Sequence, residues 1–326
     1  MKLLHCLAVV GLLVGACHAQ LPDYYQAVNR VTWLTRNVDA ILPAWIALGM
    51  TDVHKYPSTR AVGNDHGKPV TISARQVTGR LGNLTINFVQ PAEGQSNSYH
   101  DFLNKHKDGI FSVVHEVPTK DAMDKEIQRM AGLGIGVLQQ VTLDIDHTPV
   151  TYTYFDTEPQ GKYVLGLVCW PGGAPKPLEQ ITVTHLAPDV RDAPAVSAFW
   201  QKLGFPGFQI EHATPRDDSR YRGQPLSLFF DVGFQRVGAI SYEFIQPPAT
   251  PANVYEDFLK LHGEGIQHVG ILVSDLPKAA AAFEGLGFTV WQAGAWGDVG
   301  KPDSGQYNYM DTDRIGGVSV ELIHAY

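Results

Sequence analysis

The sequence predicts an α+β fold: four βαβββ units, paired into two domains that each carry a curved eight-stranded sheet. Three observations predict it. The chain repeats itself at long range, with LTINFVQP (84–91) matching ISYEFIQP (240–247), SYHDFLNKHKDGIFSVV (98–114) matching NVYEDFLKLHGEGIQHV (253–269) and YTYFDTE (152–158) matching YNYMDTD (307–313). The copies stand about 155 residues apart. A strand followed by a helix that ends at glycine occurs four times, in VDAILPAWIALGM, KDAMDKEIQRMAGLGI, APAVSAFWQKLGF and PKAAAAFEGLGF. After each helix come two or three short strands bounded by Gly, Pro, Asp or Asn. Two such units per half can pair and enclose a cavity lined by the inward faces of eight strands.

Taken in order, the chain opens with MKLLHCLAVVGLLVGACHAQ: one lysine, an apolar run from Leu3 to Val14, then small residues before Gln20. This reads as an export signal over residues 1–19. The run is too short for a membrane span, and nothing later approaches the ~18 apolar residues that a span needs. Cleavage after Ala19 removes Cys6 and Cys17 and leaves Cys169, so no disulfide can form within one mature chain. VGAC, ending at Cys17, also fits a bacterial lipoprotein signal. The expected location is secreted or periplasmic. Residues 20–170 form the first predicted domain, 171–177 (PGGAPKP) the linker and 178–326 the second domain. Residues 92–100 and 248–254, rich in Pro, Ser and Asn, connect the paired units. With 326 residues, 44% hydrophobic, there is material for two large cores. The net charge of −8 argues against nucleic acid or an anionic membrane as partner. A small-molecule substrate and a monomer or homodimer are expected.

The chemistry is carried by LHGEGIQHVGILVSDL (261–276). Val269, Ile271 and Val273 alternate as the buried face of a strand, and His268 opens the other face, followed by Gly270 and Leu272. Two further strands, ISYEFI and VSVELI, carry Glu243 and Glu321 among apolar residues. Carboxylates there are costly to bury unless paired or bound to a cation. Asp156 and Asp311 read as turn residues. His262 and Glu264 are expected in a solvent-facing loop before the His268 strand.

Paired βαβββ units, HGEGIQHVGILVSDL and the ending YNYMDTDRIGGVSVELI resemble the vicinal oxygen chelate superfamily, which includes glyoxalase I, methylmalonyl-CoA epimerase, bleomycin-resistance proteins and extradiol-type dioxygenases. The resemblance is strong over 178–326 and weaker over 26–170. It implies that metal ligands come from the first and last strands of two paired units. Position by position, it picks out His268 and Glu321 in the fourth unit and Glu243 in the third. In LEQITVTHLAP, matching Ile181 and Val183 to Val269 and Ile271 puts Gln180 at the His268 position. Distance to the following helix instead favours His185, which precedes Leu203-Gly204 as His268 precedes Leu286-Gly287, but that puts Pro188 inside the strand. Proline removes a ladder hydrogen bond there, so Gln180 is preferred.

The implied set is Gln180, Glu243, His268 and Glu321, of glyoxalase-I-like composition. It would hold one divalent ion, with Zn, Ni, Co, Mn and Fe not distinguished. The first half has Arg30, Asn87, Ser112 and Gly166 at the corresponding positions, so it is expected to be degenerate and metal-free. Such a site suits an isomerase, epimerase or glyoxalase-type lyase working through a metal-stabilised enediolate or enolate on a small oxygen-bearing substrate. Glu243 or Glu321 would move the proton. HGEGIQH resembles the epimerase branch, although an exported protein would rarely meet a CoA ester. The alternatives are an Fe(II) ring-cleaving or 2-keto-acid dioxygenase, with His185, His268 and Glu321 as ligands, and a non-catalytic protein that sequesters a small molecule.

Overall fold

The computed structural model describes residues 21–171 and 181–326. The predicted export signal with Cys6 and Cys17, all but Pro171 of the predicted linker, and Gln180 lie outside the described residues. In the first half, β1 (Arg30–Leu34), α1 (Val38–Ala47), β2 (Thr51–Asp65), β3 (Lys68–Leu81) and β4 (Leu84–Pro91) make one unit. A connecting helix, α2 (Ser98–His106), leads to β5 (Gly109–Val117), α3 (Lys120–Gly132), β6 (Val137–Ile145), β7 (Thr148–Phe155), α4 (Glu158–Gly161) and β8 (Val164–Cys169). The third unit has β9 (Thr182–Asp189), α5 (Ala193–Lys202), β10 (Glu211–Ala213), a small hairpin of β11 (Arg220–Tyr221) and β12 (Gln224–Pro225), β13 (Phe230–Gln235) and β14 (Ser241–Gln246). Then α6 (Val254–His262) leads to β15 (Gly265–Leu272), α7 (Leu276–Gly285), β16 (Val290–Trp296), β17 (Gly305–Met310) and β18 (Ser319–Ala325). The connections between paired units thus contain a helix as well as the Pro- and Asn-rich segment. No helix among the described residues is long and apolar enough to cross a membrane.

The four unit helices share their ends. Asn37, Thr119, Asp192 and Asp275 each accept a hydrogen bond from the backbone three residues on, a cap that contributes about 1 kcal/mol per helix. Each helix stops at Leu-Gly. Gly49, Gly134, Gly204 and Gly287 take φ between 81° and 104°, which only glycine adopts without strain. The next residue's N–H then returns to the last turn, as Met50 does to the Trp45 carbonyl and Phe288 to that of Phe283.

In each unit the first strand lies parallel to the last: β1 beside β4, β5 beside β8, β9 beside β14 and β15 beside β18. In the first half the units meet along β1–β5 and again along β2–β6, so eight strands close into a barrel. In the second half they meet along β9–β15, while β16 pairs with β11 rather than with β10. That sheet therefore stays open on one side.

The halves interlock. Trp33 and Trp45 of the first unit donate to the carbonyls of Gly316 and Ile315 in the fourth, at 2.6 and 2.8 Å. Arg129 and Trp200 tie the second unit to the third. Asn83 accepts from the Val183 backbone N–H at 2.7 Å and donates to its carbonyl at 3.0 Å. His262 corrects the expectation of an exposed loop. It ends α6, is 5% exposed, and its Nδ1 lies 2.7 Å from the His106 carbonyl while His106 Nδ1 lies 2.6 Å from the His262 carbonyl. Repeat-related residues thus clasp each other across the pseudo-symmetric join, and each imidazole is backed by a carboxylate, Glu158 or Asp313. Glu264, also expected in solvent, pairs with Lys162 and accepts from the Arg191 backbone.

Candidate metal centre

On the concave face of the open sheet, His185, Glu243, His268 and Glu321 each present one ligand atom, and all four atoms lie within 4.8 Å of one another. Two of these residues come from the central antiparallel pair, β9 and β15, and two from the strands flanking it, β14 and β18. Parallel pairing explains the convergence. His185 lies opposite Ser241 and His268 opposite Ser319, so each glutamate sits two residues beyond its histidine's partner, on the same face.

Glu243, His268 and Glu321 are thus brought together, and His185, the alternative to Gln180, stands with them; Gln180 itself lies outside the described residues. A pair of β-bulges sets the direction of His185. β9 and β15 pair His185 with Gly270 but Val183 with Ile271, so Thr184 is an extra residue that reverses the alternation. The second bulge removes the objection to Pro188. Opposite it the register slips between Ile266 and His268, leaving Gln267 unpaired where the proline interrupts the ladder. A signal for His185 was present in the sequence: the offset of about 155 residues that aligns the halves joins it to Arg30.

Two more residues of the site escaped the sequence reading. Gln267, freed by its bulge, turns its Oε1 to within 2.6 Å of His268 Nδ1. That contact puts the ring proton on Nδ1 and leaves the Nε2 lone pair for the cluster. Gly270 makes room for His185, because a Cβ there would meet the imidazole Cε1 at 2.3 Å.

The donor geometry fits a cation. His185 Nε2 lies 3.0 Å from Glu243 Oε2, 3.0 Å from Glu321 Oε2 and 3.1 Å from His268 Nε2. His268 Nε2 is 3.4 and 3.5 Å from the same two carboxylate oxygens. Donors about 2.1 Å from one ion stand about 3.0 Å apart along an octahedron's edge and about 3.4 Å apart in a tetrahedron. Glu321 Oε2 is buried and has no hydrogen-bond partner despite these short approaches, as expected of atoms aimed at a common centre rather than at each other. The charges agree. Burial opposes a charged imidazole at His185, but Glu243 and Glu321 outweigh it and raise its pKa to about 10. Burial likewise opposes ionised Glu243 and Glu321, yet the two imidazoles hold both carboxyls below their usual range. Two buried carboxylates thus draw in positive charge, and a divalent ion supplies it with neutral imidazole ligands. His185, Glu243, His268 and Glu321 form the one such cluster among the described residues.

The first half shows the same scaffold without these donors. Arg30 lies opposite Thr85, two residues before Asn87, and Ser112 lies opposite Val164, two residues before Gly166. Arg30, Asn87, Ser112 and Gly166 therefore occupy the stations of His185, Glu243, His268 and Glu321.

Residues 184–309 match the model of the Glyoxalase/Bleomycin resistance protein/Dioxygenase superfamily. A search of curated proteins finds no match. Among solved structures, the chain is similar to a triple mutant of 4-hydroxymandelate synthase from Streptomyces coelicolor, with TM-score 0.63, 14% identity and 92% of each chain covered. Weaker likenesses are to a Mn(II)-bound glyoxalase from Novosphingobium aromaticivorans, with TM-score 0.49, 13% identity, 92% of this chain and 82% of that one, and to a halotolerant catechol dioxygenase, with TM-score 0.48, 13% identity, 92% and 87%. At such identities the likeness is one of fold. The second half of the chain thus matches this superfamily's model over residues 184–309, and nearly the whole described length shares its fold with the 4-hydroxymandelate synthase.

Proposed function

We propose that this is an exported, divalent-metal-dependent isomerase or lyase, which moves a proton at a carbon beside the oxygens of a small substrate. The observation that carries the reading is the second carboxylate. Two imidazoles and Glu321 already make a facial metal-binding triad, and Glu243 adds a group beyond what a triad needs. When bound, a divalent ion would polarise the substrate's oxygens and so acidify the adjacent carbon. His185, His268 and Glu321 hold that ion. Glu243 is the more accessible carboxylate, its side chain 13% exposed against 7% for Glu321, and it serves as the base that takes the proton from carbon and returns it.

Glu243→Gln should keep the metal and lose most exchange of substrate C–H for deuterium in heavy water, tested on thiol adducts of 2-oxoaldehydes and on 2-hydroxyketones. Glu321→Gln should lose the metal first. The reverse pattern exchanges the two roles, and exchange untouched by either change leaves only a binding protein. A second reading rests on the triad itself: His185, His268 and Glu321 are the two-histidine, one-carboxylate set of Fe(II) oxygenases. Oxygen uptake with catechols or 2-keto acids by the iron-loaded protein would decide for it.

A further inference from the structure

The first barrel has lost its metal donors and is filled around Asn87 and Tyr152, but its mouth is not. A space of about 510 Å³ opens at its mouth, walled by Arg30, Arg80, Tyr56 and Trp170, a size suited to a small ligand. Arg30 stands at the station that His185 occupies in the second half. It is 3% exposed and takes part in none of the ion pairs found among the described residues. Its Nη1 donates to the Tyr152 hydroxyl at 2.8 Å, while its Nε is buried with no partner. A buried guanidinium with so few partners is costly, and an acceptor close by would relieve it. The other charges at this mouth do not supply one. Asp52 is exposed and faces Arg80 at 3.6 Å, and Asp146 and His54 are exposed at the rim. Aromatic faces flank the guanidinium, Trp170 at 5.3 Å and Tyr152 at 6.0 Å from its carbon.

We propose that this cavity binds a small monocarboxylate carried on a flat apolar body. The Arg30 guanidinium receives the carboxylate, and Trp170 and Tyr56 contact the body. One half would then use a metal ion, and the other a fixed guanidinium, as the positive anchor for an oxygen-bearing ligand. A neutral amide of the same shape lacks the charge that Arg30 needs, so the site discriminates between them.

The test is calorimetric titration of the full chain with benzoate, and with benzamide as its neutral twin. Benzoate should bind at one site and benzamide far more weakly. Arg30→Gln should lower benzoate affinity by roughly tenfold or more, the scale of a lost charge-assisted hydrogen bond. A His185→Ala, Glu321→Ala double variant should bind benzoate undiminished, which separates this site from the metal centre. Trp170→Ala, at a half-buried position, should weaken benzoate without lowering metal content, and it carries the test if Arg30→Gln does not fold. No benzoate binding at millimolar concentration, equal binding of benzamide, or affinity untouched by either substitution would overturn the proposal.

Discussion

Replacing Gln267 by methionine removes the side-chain amide, and with it the oxygen that faces His268, while keeping the side chain's length. The side chain is 1% exposed and sits at the bulge between Ile266 and His268, so a methionine of similar length fills the same space. What disappears is the oxygen 2.6 Å from His268 Nδ1. Without it the imidazole has no reason to carry its proton on Nδ1. It can place the proton on Nε2 instead, toward Glu243 and Glu321, and must then lose that proton before Nε2 can bind a cation. If the ring keeps the proton on Nδ1, a buried N–H goes unsatisfied. That costs about 1–3 kcal/mol, and at about 1.4 kcal/mol per tenfold the loss in affinity is roughly 5- to 150-fold. Outer-shell partners of histidine ligands elsewhere are worth about 10- to 100-fold, which falls inside that range. The assay is competition with a chromophoric chelator for Mn(II) and for Zn(II) at neutral pH, with circular dichroism to check the fold. A folded Gln267→Met protein whose affinity stays within about twofold would refute the view that Gln267 orients His268.

Further outcomes follow from the same geometry. His185→Ala should abolish stoichiometric metal binding while Gln180→Ala leaves it intact, measured as metal per chain after gel filtration. His115 is fully buried, and burial lowers its pKa from 6.5 to about 4, against the hydrogen bond that its Nδ1 makes to the Ala27 carbonyl. Its neutral form is favoured in the fold, so its contribution is complete above pH 6.5 and is lost as pH falls through about 4, by roughly 3 kcal/mol. Urea unfolding between pH 7 and pH 4 should show that slope, and His115→Gln should flatten it. Asp189, fully buried with neither carboxyl oxygen hydrogen-bonded, has its pKa pushed well up by burial and by the charge of Glu243. A raised carboxyl pKa costs stability at neutral pH, so Asp189→Asn should raise Tm at pH 7 and do so less at pH 4.

Much of this protein was written in the chain. Local spacing determined the unit helices: a capping Asn, Thr or Asp, an apolar stripe and a terminal Leu-Gly act within a dozen residues and need no distant partner. Comparison of the halves exposed Glu243, His268 and Glu321, since acidic or basic groups on apolar strands in one copy, absent from the other, stand out without coordinates. His185 stood in the sequence only as an alternative, and its direction, like that of Gln267, needed the tertiary structure. Both owe their direction to bulges, and a bulge is set by which residue of the neighbouring strand takes each hydrogen bond, not by the strand's own alternation. Closure was likewise a matter of neighbours. The first sheet closes because β2, 15 residues long, reaches β6, whereas its counterpart β10 has 3 residues and leaves the second sheet open beside the metal centre. The burial of His262 against its repeat partner His106 has the same origin. Patterns of residues fix what a segment becomes, but pairing between segments far apart in sequence fixes which side chains face one another, because each backbone donor can be satisfied by only one neighbour at a time.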